Sequence, residues 1–337
     1  MDATEPTPPA PSLTTGVGLV TVFGGSGFVG RHVVRALARR GWRVRAAVRR
    51  PDLAGHLQPM GAVGQVHAVQ ANLRYPESVT RAVAGADAVV NCVGILAPSG
   101  HQTFKEIHTE GAHAVAVAAR AAGIGRLVHV SAIGADAGAR ANYAISKGKG
   151  EAEVLAAVPT AVILRPSVIF GPEDLFFNRF ARMAQSSPAL PAPGSGVTKF
   201  QPIYVGDVAL AVAAALDGRA RPGAVYELGG PEVISLHDIL VRVARYTERD
   251  VKPFPIPFIV AKALALGTFW LPSGLRPVTY DQVRLLESGD NVVSAAATAE
   301  GRTLEGLGVT QPAAMDAIVP DYLEPFRPKG QFSHYRN

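Results

Sequence analysis

The sequence predicts an α/β fold: a doubly wound parallel sheet carrying a smaller, irregular C-terminal lobe. Three observations predict it. Short apolar runs of strand length alternate with helical stretches through the first half of the chain, as in βαβ units. Those runs are near-continuous Val, Ile, Leu and Ala, the composition of strands covered on both faces. A glycine-rich turn joins the first strand to the first helix.

The elements follow in order. Residues 19–23 form the first strand, and Gly24 to Gly30 punctuates it. Residues 28–40 read as a helix with Val29, Val33, Val34, Leu37 and Ala38 on one face, stopped by Gly41. Strands are then predicted at 43–48, 65–70, 88–93, 126–131 and 161–164, with helices at 76–84, 103–122 and 142–157 before the last three. Beyond Gly171 the rhythm changes, with Gly, Pro and Ser clustered over 186–196. A strand at 225–228 and helices at 205–216 and 236–246 are still legible. The domain plan is a disordered Pro-rich arm at 1–16 and a nucleotide-binding sheet domain at 17–170, to which 200–230 returns. Residues 171–199 and 231–330 form the smaller lobe.

Composition excludes several classes. With 48% hydrophobic and 18% charged residues, the 337-residue chain is globular. The single cysteine, Cys92, excludes a disulfide framework and a thiolate zinc site, and the nine histidines show no metal-ligand spacing, so no metal is expected. Basic residues exceed acidic ones by six but form no dense run. That suits an anionic cofactor, an acidic partner or a membrane surface rather than nucleic acid. The arm lacks the apolar core of a signal peptide. The longest apolar stretch, 254–271, is interrupted by Pro255, Pro257 and Lys262, so no confident transmembrane segment is present. Its tail, from Phe258 to Trp270, reads as a buried helix in preference to one lying on a membrane.

The turn Gly24-Gly25-Ser26-Gly27-Phe28-Val29-Gly30 spaces glycines as GxxGxxG between strand and helix. There a tight turn and close backbone approach let a helix N-terminus face a pyrophosphate. This is the Rossmann-type dinucleotide signature. The second strand ends Val48-Arg49-Arg50-Pro51 with no carboxylate for a ribose 2′-hydroxyl. Two guanidiniums there favour NADP(H) over NAD(H), the alternative being a pair of solvated surface arginines. Asn72 and Leu73 follow the third strand at the adenine position, and Asn91-Cys92-Val93-Gly94 ends the fourth near the nicotinamide ribose. Cys92 reads as a small core residue rather than a nucleophile.

Ser131 ends the fifth strand, and Tyr143 and Lys147 share one face of the next helix at i, i+4. Such a trio supplies proton transfer coupled to hydride transfer. Ser131 bonds a substrate oxygen, and Tyr143 is drawn toward phenolate by the Lys147 ammonium and an oxidised nicotinamide. Residue types leave open whether the trio turns over a substrate or is vestigial. Asp136, Glu151 and Glu153 read as solvated charges, and Glu173 and Asp174 either as ligands or as a turn and helix-cap pair.

These residues resemble the short-chain dehydrogenase/reductase superfamily, extended type. A finer likeness is carried by 165–181, with its run Pro172-Glu173-Asp174-Leu175-Phe176-Phe177-Asn178-Arg179-Phe180, by Phe200-Gln201-Pro202-Ile203-Tyr204 and the residues to 209, by 226–231, and by Tyr280-Asp281-Gln282-Val283-Arg284-Leu285-Leu286. It resembles the atypical branch that includes the 39-kDa accessory subunit of respiratory complex I and its bacterial relatives, over about 19–325. The resemblance implies an NADPH held for structure or sensing, and docking on complex I subunits near the quinone site. It further implies contact with membrane lipids and a peripheral place on the cytoplasmic face of a bacterial inner membrane. It also adds Pro166 and Val168 to Tyr143, Lys147 and the positions above as cofactor-binding candidates. The alternative is a catalytic NAD(P)-dependent oxidoreductase or epimerase/dehydratase using Ser131, Tyr143 and Lys147. His108 departs from the pattern, standing where catalytic members often carry Asn. It reads as a satisfied surface histidine.

Overall fold

Seven parallel strands form the central sheet of the computed structural model, which describes residues 17–267 and 279–329. They are β1 (Leu19–Phe23), β2 (Arg43–Val48), β3 (Val66–Gln70), β4 (Ala88–Asn91), β5 (Leu127–Val130), β6 (Val162–Pro166) and an edge strand, Val225–Leu228. Their order is Val225–Leu228, β6, β5, β4, β1, β2, β3. The winding reverses between β1 and β4, and Phe23 stands opposite both Ala47 and Asn91, so three strand ends flank one crevice. In sheets of this winding, ligands bind outside the carboxyl ends at that reversal.

Both faces of the sheet are covered, which explains the unbroken apolar runs. On one face α1 (Phe28–Arg39) and α6 (Val205–Leu216) bring Val33, Val34, Leu37, Val208 and Val212 against Val20 and Val22. On the other, α2 (Pro76–Val83), α3 (Gly111–Ala121) and α4 (Asn142–Ala157) bring Val79, Val115 and Val154 against Phe23, Val89 and Ile163. Alternate residues of β1 therefore serve two cores. Each fully buried Val or Leu is worth about 1.5–3 kcal/mol.

The lobe has its own core, where α5 (Phe177–Ser186) and α7 (Leu236–Tyr246) pack Phe177, Ile239 and Val243 against Phe170 and Leu190. Beyond it lie α8 (Phe258–Gly267) and α9 (Tyr280–Glu287).

Several elements differ from their sequence expectation. The fourth strand stops at Asn91 because its own Oδ1 accepts the Val93 N–H at 3.1 Å, turning the chain before 93. The helix expected over 103–122 contains a π-helical turn at Lys105–Glu110 before α3. The prolines that marked 186–196 as irregular conceal a strand: Ala189–Pro193 pairs in parallel with Lys252–Ile256. Proline is tolerated there because a two-stranded ribbon has only edges.

The stretch expected as a buried helix is only half covered. In α8, Ala261 and Ala265 face inward over Val283 of α9, whereas Ile259 is 81% and Leu266 57% exposed. The small cluster that Ala261 and Ala265 form with Ile256, Val283 and the partly buried Phe258 is too narrow to cover a helix this apolar. The last residues of that expectation, 268–270, and the Pro-rich arm at 1–16 lie outside the described residues. Among the described residues no helix is long and apolar enough to cross a membrane.

Candidate functional site

The glycine loop lies at the sheet's reversal point. Gly24 has φ +75°, a left-handed conformation that favours glycine. A Cβ on Gly30 would overlap the Gly24 carbonyl oxygen, so α1 can pack this tightly on the loop only with glycine there. Gly25 also faces Ala46 of β2 closely, since an added Cβ would stand 2.9 Å from the alanine methyl. Gly27 donates to the Gly24 carbonyl at 2.9 Å and occupies the N-cap of α1 without a side-chain cap. No acidic residue sits in the first turn of α1. The first-turn amides of Phe28, Val29 and Gly30 therefore present their partial positive charge to an incoming anion. Replacing Gly30 with Ala should cost about 3 kcal/mol through overpacking and abolish nucleotide binding. Denaturant unfolding and a nucleotide titration of the variant check both effects.

Beside the loop a cleft of about 430 Å³ is lined by Ser26, Arg49, Arg50 and Leu53. The two arginines are not equivalent. Arg50 is held bidentately by Asp52, with Nε–Oδ1 at 3.0 Å and Nη2–Oδ2 at 2.7 Å. Arg49 is exposed and has no carboxylate partner among the described residues. It alone offers an uncompensated guanidinium to a phosphate. Asp52, two positions past the strand-end pair, was not singled out by the sequence, although its spacing to Arg50 is that of a local ion pair.

Ser131, Tyr143, Lys147 and Gly94 converge at the ends of β4 and β5. Ser131 is buried, and its Oγ has no hydrogen-bond partner among the described residues. A buried hydroxyl left unbonded is costly, and an oxygen of a bound nucleotide or substrate would satisfy it. Gly94 has no side chain where Lys147 Nζ and His108 Nε2 approach, at 3.4 and 3.7 Å from an added Cβ. Lys147 donates to the Val130 carbonyl at 3.1 Å. Burial pushes its pKa down to about 8, while Glu151 draws it back up.

The expected phenolate is not what this arrangement favours. Burial pushes Tyr143 up to about 12. The Lys147 ammonium bonds the Val130 carbonyl, and burial favours the neutral phenol at Tyr143. As such it can donate a hydrogen bond or a proton but cannot accept one as a base. Cys92 packs beside the core, and burial lifts its thiol to about 12, which removes any thiolate role.

A nicotinamide dinucleotide would supply the hydride chemistry of such a site. The glycine loop, the uncapped α1 terminus, free Arg49 and orphaned Ser131 fit its pyrophosphate, ribose and nicotinamide ends in that order. The model of the epimerase family, described as "NAD dependent epimerase/dehydratase family", matches residues 20–229. The chain belongs to that family.

Among curated relatives of this epimerase-family chain, the mitochondrial NADH dehydrogenase [ubiquinone] 1 alpha subcomplex subunit 9 of Arabidopsis thaliana is 37% identical over 253 residues. The match covers 73% of this chain and 62% of that protein, so this chain spans under two thirds of the plant subunit. A ceramide reductase of Caulobacter vibrioides is 38% identical over 192 residues, covering 57% of this chain and 59% of the reductase. Among solved structures, an NADPH-dependent quinone oxidoreductase from Escherichia coli, complexed with NADPH, superposes with TM-score 0.69 at 20% identity. It covers 90% of this chain and 99% of its own, and shows the shared fold.

The remaining candidates of this family member fall into clear places. Asn72 organises the turn after β3, accepting the Arg74 N–H on Oδ1 at 3.2 Å, and Leu73 is buried against Gly111. Val93 packs on Gly24, Pro166 closes β6, and the Val168 N–H donates to Asn291 Oδ1 at 2.9 Å. Glu173 and Asp174 are structural. Glu173 pairs with Arg31 of α1 at 3.1 Å, and Asp174 accepts from the amides of Gly171 and Phe177 and from the Tyr322 hydroxyl.

His108 is not a surface histidine. It is 1% exposed and forms an edge-to-face pair with the Tyr143 ring, centroids 5.4 Å apart. The Ser146 hydroxyl donates to the Tyr143 carbonyl at 2.8 Å, so it accepts from His108 Nδ1–H at 2.9 Å. Nε2 then accepts the Ile95 N–H at 3.0 Å. Burial and the neighbouring Lys147 push His108 down to about 2. It is a fixed neutral ring packed on Tyr143, with its one N–H given to Ser146 and no positive charge. Nor is Glu151 a solvated charge: it is buried, and Arg165 grips it at 2.9 and 2.6 Å.

Three residues that hold the site's surroundings carried little signal in the sequence. Asn291 bonds Ser167, Val168 and Ile133 from far along the chain. His129, on β5 beside Ser131, is buried with Nδ1 facing Asn91 Nδ2 at 3.2 Å. Asp281 reaches the first turn of α4. Glycines within α4 gave a usable hint. Cβ atoms at Gly148 and Gly150 would collide with the 136–137 backbone and the His108 carbonyl, so α4 packs unusually close on the π-helical turn.

Proposed function

We propose that this protein is an NADPH-binding accessory subunit of respiratory complex I, stabilising that assembly near the quinone site rather than turning over a substrate. Its kinship with complex I subunits supports the assembly. The observation that carries the non-catalytic part is the protonation pattern of the trio. Tyr143 is a phenol pushed up to about 12, its companion Lys147 bonds a backbone carbonyl, and His108 stays neutral. Lys147, the one member that burial brings near the working pH, at about 8, holds its ammonium on the Val130 carbonyl. Arg49 supports NADPH over NADH, because an uncompensated guanidinium gains most from a 2′-phosphate. The exposed apolar side of α8, with Ile259, Val260 and Leu266, supports a further contact with membrane lipid, peripheral on the cytoplasmic face of a bacterial inner membrane.

A second reading has one specific observation in its favour. Ser131 Oγ is buried and unbonded, which suits a substrate oxygen and a catalytic oxidoreductase or epimerase/dehydratase using Ser131, Tyr143 and Lys147. The kinship with the ceramide reductase is in keeping with that. The two readings part at Tyr143→Phe. On the accessory-subunit reading, this variant binds NADPH within about twofold of wild type by calorimetry and restores the complex in cells lacking the chain. Loss of the assembled complex in that variant, with the chain itself still folded, contradicts the reading.

A further inference from the structure

The helix that carries Tyr143 and Lys147 does not cap itself. The residue before α4 is Ala141, which has no side-chain acceptor, and the first turn of α4 contains no acid. Its orphan amides are instead met from the C-terminal lobe. Asp281 Oδ1 accepts the Asn142 N–H at 2.7 Å, and Oδ2 accepts the Tyr143 N–H at 2.9 Å, across 139 and 138 residues of sequence. The carboxylate thus satisfies two donors and places a full negative charge on the positive end of the helix.

Asp281 is itself firmly placed. It lies in the first turn of α9, whose capping box is complete, with the Thr279 hydroxyl accepting from Gln282 and the Gln282 side chain accepting from Thr279. Lys262 of α8 grips Glu287 at the other end of α9 at 2.6 Å. The α8–α9 pair is therefore a braced unit with one carboxylate extended to the reactive helix.

We infer that Asp281 is a positioning residue, through which the C-terminal lobe sets the nicotinamide end of the cofactor cleft. Tyr143 is the second residue of α4, so an unravelled first turn displaces its ring and with it the edge-to-face pair on His108. Lys147, one turn on and bonded to Val130, stays anchored. The loss is thus confined to the end of the cleft that receives nicotinamide, leaving the glycine loop and Arg49 untouched. This rests on the dinucleotide-binding reading above.

The test compares two ligands on the full chain. NADPH spans the cleft, whereas adenosine 2′,5′-bisphosphate reaches only the Arg49 end. Asp281→Ala should weaken NADPH roughly five- to tenfold, as the competent α4 terminus becomes a minority state, and leave the bisphosphate within about twofold. Asp281→Asn, which keeps one acceptor and the shape, should fall between. Amide hydrogen exchange should rise at Asn142 and Tyr143 in the alanine variant. Unchanged NADPH affinity overturns the inference, as does equal weakening of both ligands, which is the mark of general destabilisation. The exchange measurement needs no nucleotide. If wild type bound neither ligand, the cofactor reading would fall on its own, while faster exchange confined to those two amides would still support the cap. Amides unprotected in wild type would overturn it.

Discussion

Arg49→Glu should lower NADPH affinity by about a hundredfold and change NADH affinity by no more than about threefold. A hydrogen bond to a charged group contributes about 1.5–3 kcal/mol, and reversing the charge adds repulsion of the 2′-phosphate. The discrimination rests on Arg49 alone, because Asp52 already neutralises Arg50 through two bonds. Arg50→Ala should therefore matter less, and Asp52→Asn should strengthen NADPH binding by freeing the second guanidinium. Calorimetry with both nucleotides reads all three variants. Equal loss of NADPH and NADH in Arg49→Glu would remove the 2′-phosphate assignment.

Acid should destabilise the fold well before its carboxylates protonate. Burial, with Lys147 nearby, pushes His108 down to about 2 and His129 down to about 3. The unfolded chain protonates both near the ordinary value of about 6.5. As pH falls below that value the unfolded state gains two protons that the folded state refuses, so stability drops. The expected slope is about 1.4 kcal/mol per pH unit for each histidine, and the loss continues until the folded values are reached. From pH 6.5 to 5 the pair would remove about 3 kcal/mol, a large share of a typical domain's stability. Urea unfolding at several pH values checks this. The double variant His108→Gln, His129→Gln should lose most of that slope, and an unchanged slope would show that the two rings are not the acid-sensitive groups.

The sheet was legible in the sequence because strands covered on both faces leave unbroken apolar runs, and β1, β2 and the 225–228 edge strand were placed to the residue. What local pattern cannot carry is long-range pairing. His108 read as a surface residue because nothing nearby in sequence announces Ser146 or Tyr143 as its partners. Glu151 read as solvated because its counter-ion, Arg165, lies one strand away. Asp281 lay within a run that marked the family, yet its target is an amide 138 residues upstream. The prolines of 189–193 correctly signalled an edge but hid the strand itself. The α8 stretch, apolar on every side, gave no period from which to choose a buried face. The glycine loop was the clearest part of the site, since its spacing reflects a steric requirement between neighbours, whereas the protonation of Tyr143 depends on where Lys147 spends its hydrogen bond.

Membership of the respiratory assembly is tested most directly in the membrane itself. Membranes of the source cell, mildly solubilised and separated on a native gel, should show this chain migrating with NADH dehydrogenase activity. Recovery of the chain solely in the soluble fraction, apart from that activity, would rule out membership and turn attention to Ser131, Tyr143 and Lys147 as a working catalytic trio.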